Sequence, residues 1–162
     1  MTIITQERTM SHARASVWKT LADFGSIHKF YALVDDSCLH EGSAATGMGA
    51  ARTCHFSDGN KVLERIIDFK ENERLVVDIY DGTMPLKTCV VTFSLLDSPR
   101  GTSVTVEAQY ELKHGLLGRI LDALLVRRKF DGNLALMLAG LDAYLSTGEP
   151  VRSDFRVAAM AV

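Results

Sequence analysis

Residues 51–112 read ARTCHF SDG NKVLERIIDFK EN ERLVVDIY DG TMPLKTCVVTFSLLD SPRG TSVTVEAQYEL, where the spaces set off turn-forming residues from alternating runs. Apolar residues that alternate with polar ones mark strands, and clusters of Gly, Asn, Asp and Pro mark tight turns between them. A further run begins at Val34 and is separated from Ala51 by Gly47 and Gly49. Residues 34–112 are therefore expected to form six strands of an antiparallel meander. No helix-length segment lies between these strands. Parallel strands need such crossovers, so Rossmann and TIM architectures are excluded.

One hairpin in the meander fixes its own register. Ser57-Asp58-Gly59 suits a three-residue loop, a type I turn followed by Gly in the left-handed region. That loop sets Phe56 opposite Asn60, Cys54 opposite Val62 and Arg52 opposite Glu64. A two-residue loop would pair Arg52 with Arg65, and like charges directly opposite are unfavourable. One face then carries Cys54, Phe56, Val62 and Ile66 together with Arg52 and Glu64, so an ion pair points into an apolar interior. Burying two charges costs on the order of several kcal/mol per ion, and their attraction often fails to recover it. Two readings stay open. Arg52 and Glu64 either line a partly wet cavity as polar anchors for a ligand or form a structural or edge-exposed salt bridge.

Outward from the meander, residues 3–10 are expected to form a first strand. Ser11 would cap a helix carrying Val17, Trp18, Leu21 and Ala22 at helical spacing. Trp18 lies on that stripe and is read as a core residue, not a platform for a ligand. Gly25 would end the helix, and a second short one would start at Ser26 with Ile27, Phe30 and Tyr31. After Leu112 the period turns helical again, first at Leu117, Ile120, Leu121, Leu124 and Leu125, then at Leu134, Met137, Leu138, Leu141 and Leu145. The stop is Gly148-Glu149-Pro150, with a kink expected at Gly132. Such a helix would reach about 45 Å and lie across an entire curved sheet. Residues 1–150 are expected to form a single ligand-binding domain, and residues 151–162, without a clear period, a loosely attached or disordered tail.

Composition sets the outer limits. The chain has 162 residues, 47% hydrophobic and 23% charged, as in ordinary soluble globular domains. A domain of this length buries about 70% of the surface its unfolded chain exposes, so it needs no metal or disulfide staple and has room for a cavity. Eighteen Lys and Arg against twenty Asp and Glu give a net charge of -2, too balanced to attract nucleic acid. Cys38, Cys54 and Cys89 are odd in number and lack C-x-x-C spacing, which points to packing roles in a reducing compartment. The first ten residues lack the apolar run of a secretory signal, and no apolar stretch is long enough to span a membrane, so a cytoplasmic location is expected. Residues 116–130, with Arg119, Arg127, Arg128 and Lys129, have a composition compatible with an anionic membrane surface. The stronger reading gives the leucines to the sheet and leaves the basic residues solvated.

No cofactor or metal is expected. Gly47-Met48-Gly49-Ala50-Ala51-Arg52 ends in Arg and leads into a strand, whereas a dinucleotide loop needs a third Gly and a helix N-terminus. Cys38 and His40 share a strand face and Cys54 adjoins His55, but no four-ligand spacing is present. His28, beside Phe30 and Tyr31, is placed at the rim of a cavity. His12, His40, His55 and His114 are scattered surface or packing residues.

Ala15-Ser16-Val17-Trp18 and Leu21-Ala22-Asp23-Phe24 form an A-x-x-V-W-x-x-L-A-D-F opening, without a proline in the preceding turn. Gly49-Ala50-Ala51-Arg52 forms G-x-x-R. Asp58-Gly59, Leu63-Glu64-Arg65, Pro85, Gly101-Thr102 and Leu138-Ala139-Gly140-Leu141 continue the pattern over about residues 1–150. With the order of elements above, these residues resemble the START, pollen-allergen and polyketide-cyclase superfamily, often called SRPBCC. The resemblance implies an α+β helix-grip fold, in which a curved seven-stranded antiparallel sheet and two short helices enclose a hydrophobic cavity with one long C-terminal helix. It also implies Arg52 and Glu64 as cavity-lining polar groups and a lipid, sterol, hormone or polyketide as ligand. No complete catalytic set matches this chain.

The expected function is that of a carrier or sensor of a small hydrophobic ligand, a lipid, polyketide or similar molecule. Its walls would come from Val62, Ile66, Val77 and Ile79, with Cys54, Phe56, Tyr80 and Tyr31 beside them. The rivals are a cyclase, dehydratase or aromatase-type enzyme, with Glu64, Tyr80 or a histidine moving protons, and a chaperone-cofactor-like interaction module. An enzyme would place in the cavity a titratable group with no fixed salt-bridge partner. An interaction module would show a filled core and an exposed apolar patch.

Overall fold

The computed structural model describes residues 1–113, 125–152 and 154–155. The chain runs through β1 (Thr2–Met10), α1 (Arg14–Ala22), a 3-10 helix (Phe24–Lys29), β2 (Val34–Leu39) and β3 (Ala51–Phe56). It continues through β4 (Lys61–Lys70), β5 (Arg74–Gly82), β6 (Leu86–Ser98), β7 (Gly101–Leu112) and a long helix, α2 (Arg127–Thr147). The strands form one seven-stranded sheet in the order β1-β7-β6-β5-β4-β3-β2. All neighbours are antiparallel. The six-strand meander and the seven-stranded sheet are thus as the sequence implies, with β1 added beside β7.

The hairpin at Gly59 takes the three-residue loop. Gly59 has φ +85°, Phe56 donates its N–H to Asn60 O at 2.8 Å, and Asn60 N–H donates to Asp58 Oδ1 at 3.0 Å. Arg52 accordingly faces Glu64, and Cys54 faces Val62. The sheet bends where β4 meets β5. Leu63 faces Asp81 but Glu64 faces Ile79, which leaves Tyr80 as an extra residue on β5; Ile66 faces Val77 but Asp68 faces Val76, which leaves Ile67 extra on β4. Bulges of this kind increase local twist and bend the strand, and two close together curl the sheet around what lies on its inner face.

The helices differ from the expectation in their ends. Ser11 caps nothing: α1 begins at Arg14 with Ala13 at the N-cap and no side-chain cap, because β1 runs to Met10 and the chain must turn before it can coil. Val17, Trp18 and Leu21 are buried, and the Trp18 ring packs on Phe69 with centroids 5.0 Å apart. The 3-10 helix starts at Phe24, so Gly25 lies inside it, and the irregular residue is Ser26 at φ −110°. The described α2 has 21 residues, about 32 Å at the usual rise, and the first part of the helix expected from Leu117 lies outside the described residues. α2 passes through Gly132 without a break and ends at Gly148 in the left-handed conformation, φ +72°. The positions Leu117, Ile120, Leu121 and Leu124, with His114 and Arg119, lie outside the described residues.

α2 lies against the sheet edge formed by β1. Gln6 Nε2 donates to Asp131 Oδ1 at 2.6 Å, Arg8 Nε donates to Asp142 Oδ2 at 2.8 Å, and His12 Nε2 and Ser146 Oγ are 3.1 Å apart. Near its middle α2 touches the chain after the 3-10 helix so closely that a Cβ on Gly140 would collide with the Phe30 carbonyl oxygen. Beyond Pro150, Val151 N–H donates to Lys29 O at 2.9 Å and Phe155 packs against the core. Residues 153 and 156–162 of the tail lie outside the described residues. No described helix is long and apolar enough to cross a membrane.

Candidate functional site

Between the bent strands and the first half of α2 lies a cavity of about 350 Å³. The alternation of each strand decides which side chains reach it. β3 supplies Arg52 and Phe56, β4 supplies Val62 and Glu64, and β5 supplies Val77 and Ile79. β6 adds Val91 and Phe93, and Ile27, Tyr31 and Leu33 close the end at the 3-10 helix. From α2 and the residue before it come Val126, Lys129, Phe130, Asn133, Leu134 and Met137. Their spacing of three and four residues is one helical stripe. Among the described residues, Ser57, Asp58 and Asn60 of the Gly59 hairpin and Met84, Pro85, Leu86 and Leu112 make up the rest of the lining.

The polar end of the cavity is the Arg52–Glu64 pair, 5% and 7% exposed. Arg52 Nε donates to Glu64 Oε2 at 2.7 Å, and Nη2 lies 2.6 Å from the same oxygen. Nη1 donates to the Phe24 carbonyl at 2.5 Å, and the guanidinium carbon sits 3.9 Å from the centre of the Phe24 ring. Glu64 Oε2 also accepts the Cys54 thiol at 3.6 Å. Both charges are thus neutralised locally, which is what allows them in an apolar wall. Burial, reinforced by the Glu64 charge, pushes the Cys54 thiol up to about 12. Burial does the same to Cys89, also up to about 12, with Glu64 and Asp78 adding to it. Neither is a nucleophile at neutral pH. At the exposed rim, hydrogen bonds from Asn60, with the Lys129 charge as a smaller contribution, hold the Asp58 carboxyl below its usual range.

Seven of the ten residues singled out from the sequence line the cavity: Arg52, Glu64, Phe56, Val62, Val77, Ile79 and Tyr31. Three do not. Tyr80 follows inward-facing Ile79 and, as the bulge residue, turns to the outer surface, 42% exposed, with the Arg65 guanidinium 5.0 Å from its ring. Cys54 is on the inner face but sealed between Ser37 and Glu64. Ile66 is 1% exposed in the solid core beyond the end of the cavity. His28, expected at the rim, is not in the lining, and its Nδ1 is buried without a partner. Cys38, read as a packing residue, is exposed and donates to Asp36 Oδ2 at 3.0 Å. Sequence reasoning missed Lys129 and Asn133, although Asn133 falls three residues after Phe130 and four before Met137, and Lys129 falls four before Asn133. It also missed the Phe24 carbonyl, a backbone group that no side-chain pattern reveals. Among the described residues, no three His, Cys, Asp or Glu side chains come together as a metal site.

Solved structures share this architecture. TTHA0849 from Thermus thermophilus superposes with a TM-score of 0.77 at 17% identity, covering 91% of this chain and 99% of that one. Ara h 8.0201 gives 0.70 at 18% identity, covering 90% and 98%. DynU16, from the dynemicin biosynthetic locus, gives 0.69 at 19% identity over 94% of this chain and 50% of its own length. These likenesses are of fold. A search of curated protein sequences finds no match to this chain. The family model described as polyketide cyclase / dehydrase and lipid transport matches residues 1–146. With the SRPBCC-type helix-grip architecture, that match over nearly the whole length means that the chain belongs to the polyketide cyclase / dehydrase and lipid transport family.

Proposed function

We propose that the chain holds one small hydrophobic molecule, a lipid, polyketide or similar compound, in this cavity as a carrier or sensor. The observation that carries the reading is the volume of about 350 Å³, walled largely by apolar side chains around one self-neutralised ion pair. Protein interiors close to crystal-like density by default, and the bulky residues to fill this space are already present around it, so the hollow calls for an occupant. An enzyme of cyclase, dehydratase or aromatase type is the rival raised by the family's description and by the locus of DynU16. Such chemistry needs a group free to take or give a proton, whereas the carboxylate inside this cavity is fixed by two donor nitrogens of Arg52. An interaction module would bury the same residues in a filled core. The three free cysteines support a reducing, cytoplasmic setting.

The test is titration with the neutral fluorophore N-phenyl-1-naphthylamine. Binding should be saturable, lost on denaturation and weakened by Val62→Trp, which occupies cavity volume at a stability cost of about 1–3 kcal/mol. No saturable binding to the folded chain, or binding indifferent to Val62→Trp, overturns the reading.

A further inference from the structure

The hydrogen bonds of the buried ion pair are unevenly distributed, and the unevenness carries chemical information about the occupant. All three donors that reach Glu64, namely Arg52 Nε, Arg52 Nη2 and the Cys54 thiol, converge on Oε2. Oε1 takes none of them. Among the described residues, the one buried side-chain polar atom left without a partner is His28 Nδ1. Oε1 is therefore not sealed in protein; it opens on the cavity that Glu64 lines. The cation beside it is occupied, with every nitrogen of the Arg52 guanidinium engaged by Glu64 or by the Phe24 carbonyl and its face against the Phe24 ring. Among the described residues, the charged residues of the lining are Arg52, Glu64, Asp58 and Lys129.

We infer that the ligand carries a neutral hydrogen-bond donor at its buried end, the hydroxyl of an alcohol or phenol, and that a carboxylate of the same shape is discriminated against. This inference rests on the reading of the cavity as a ligand site. A hydroxyl donates to Oε1 and completes the carboxylate's bonding. A ligand with only acceptor atoms at that end displaces water from Oε1 and leaves it unpaired, facing another lone pair. A carboxylate ligand at that end adds a negative charge beside Glu64, where the neighbouring cation, Arg52, is already engaged by Glu64 and the Phe24 carbonyl, in surroundings where charge is poorly screened. Asn133, whose amide offers both donor and acceptor, meets the rest of the ligand without choosing its polarity.

The experiment is calorimetric titration of the whole chain at neutral pH with three naphthalenes of one shape: 2-naphthol, 2-methoxynaphthalene and 2-naphthoate. 2-Naphthol should bind about tenfold more tightly than 2-methoxynaphthalene, the loss expected when a buried acceptor goes unpaired, and 2-naphthoate should bind no better than the ether. In the double variant Arg52→Met with Glu64→Leu the preference for naphthol over its ether should disappear. The wild-type ranking decides by itself if that variant does not fold. If 2-naphthoate or 2-methoxynaphthalene binds as well as 2-naphthol, the inference falls and the cavity reading stands. It falls in the same way if N-phenyl-1-naphthylamine binds and none of the naphthalenes does. If no probe binds the folded chain, both fall.

Discussion

The two halves of α2 rest on the same sheet under opposite conditions. Past Met137 the helix is sealed: Leu138 and Leu141 are 2% and 1% exposed, Gly140 lies against the Phe30 carbonyl, and Asp142 and Ser146 are tied to Arg8 and His12 of the β1 edge. Before Met137 the helix spans a hollow, and its inner stripe includes an amide and an amine, Asn133 and Lys129. The sheet follows the same division. Thr102, Val104, Val106, Ala108 and Tyr110 of β7 are 0% exposed and none faces the cavity, whereas β4 presents a charged residue to it. The difference shows what sets polarity in an interior. Where packing is complete, a buried polar side chain has its bond made within the protein, as Thr102 does by donating to His12 O at 2.7 Å. Where space remains, a charged pair stands in the wall neutralised by its own partners.

Substitutions at three places probe that contrast. The largest effect is expected on the hollow side. Glu64→Ala leaves Arg52 buried without its counter-charge and should destabilise the fold by about 3–5 kcal/mol, whereas Arg52→Met with Glu64→Leu should lose clearly less. Chemical denaturation of both variants checks this, and equal losses would mean that the pair matters for shape and not for charge. Gly140→Ala comes next. The added methyl meets a backbone oxygen that no rotamer change can move, so a loss of about 1–3 kcal/mol in melts should come with a displaced α2. A neutral outcome would show that the sealed half is looser than its geometry implies. Asp142→Asn is the smallest: Arg8 is nearly half exposed, and such partly solvated pairs are worth below about 1 kcal/mol. Its effect should shrink further in high salt, since screening weakens exposed pairs first.

The readability of the sequence follows the range of the forces involved. The meander, the Gly59 loop and the Arg52–Glu64 register are local, set by alternation and turn chemistry within a dozen residues, and the structure has them as expected. The resemblance carried by Gly49–Arg52 and Leu63–Arg65 extended this to the grip of α2. The boundary of the cavity is not local. Cys54 and Ile66 point inward as alternation requires, yet where packing closes and the hollow begins depends on how far α2 and the 3-10 helix approach. Tyr80 was displaced by a bulge, which shifts pairing by one residue without an unambiguous sequence mark. Asn133 was legible in principle, since its helical spacing from Phe130 and Met137 puts it on the buried stripe, but polar residues on such a stripe are easily passed over in favour of the leucines.

The 3-10 helix is held at both ends by backbone oxygens: Arg52 grips the Phe24 carbonyl at its start, and Gly140 abuts the Phe30 carbonyl just past its end. A short segment loaded in this way acts as a strut. A ligand that re-seats the guanidinium has to move the near end of the strut, and the far end yields only by pushing α2 or the Val151 backbone bonded to Lys29. The polar end of the cavity and the middle of α2 thus bear on opposite ends of one short segment.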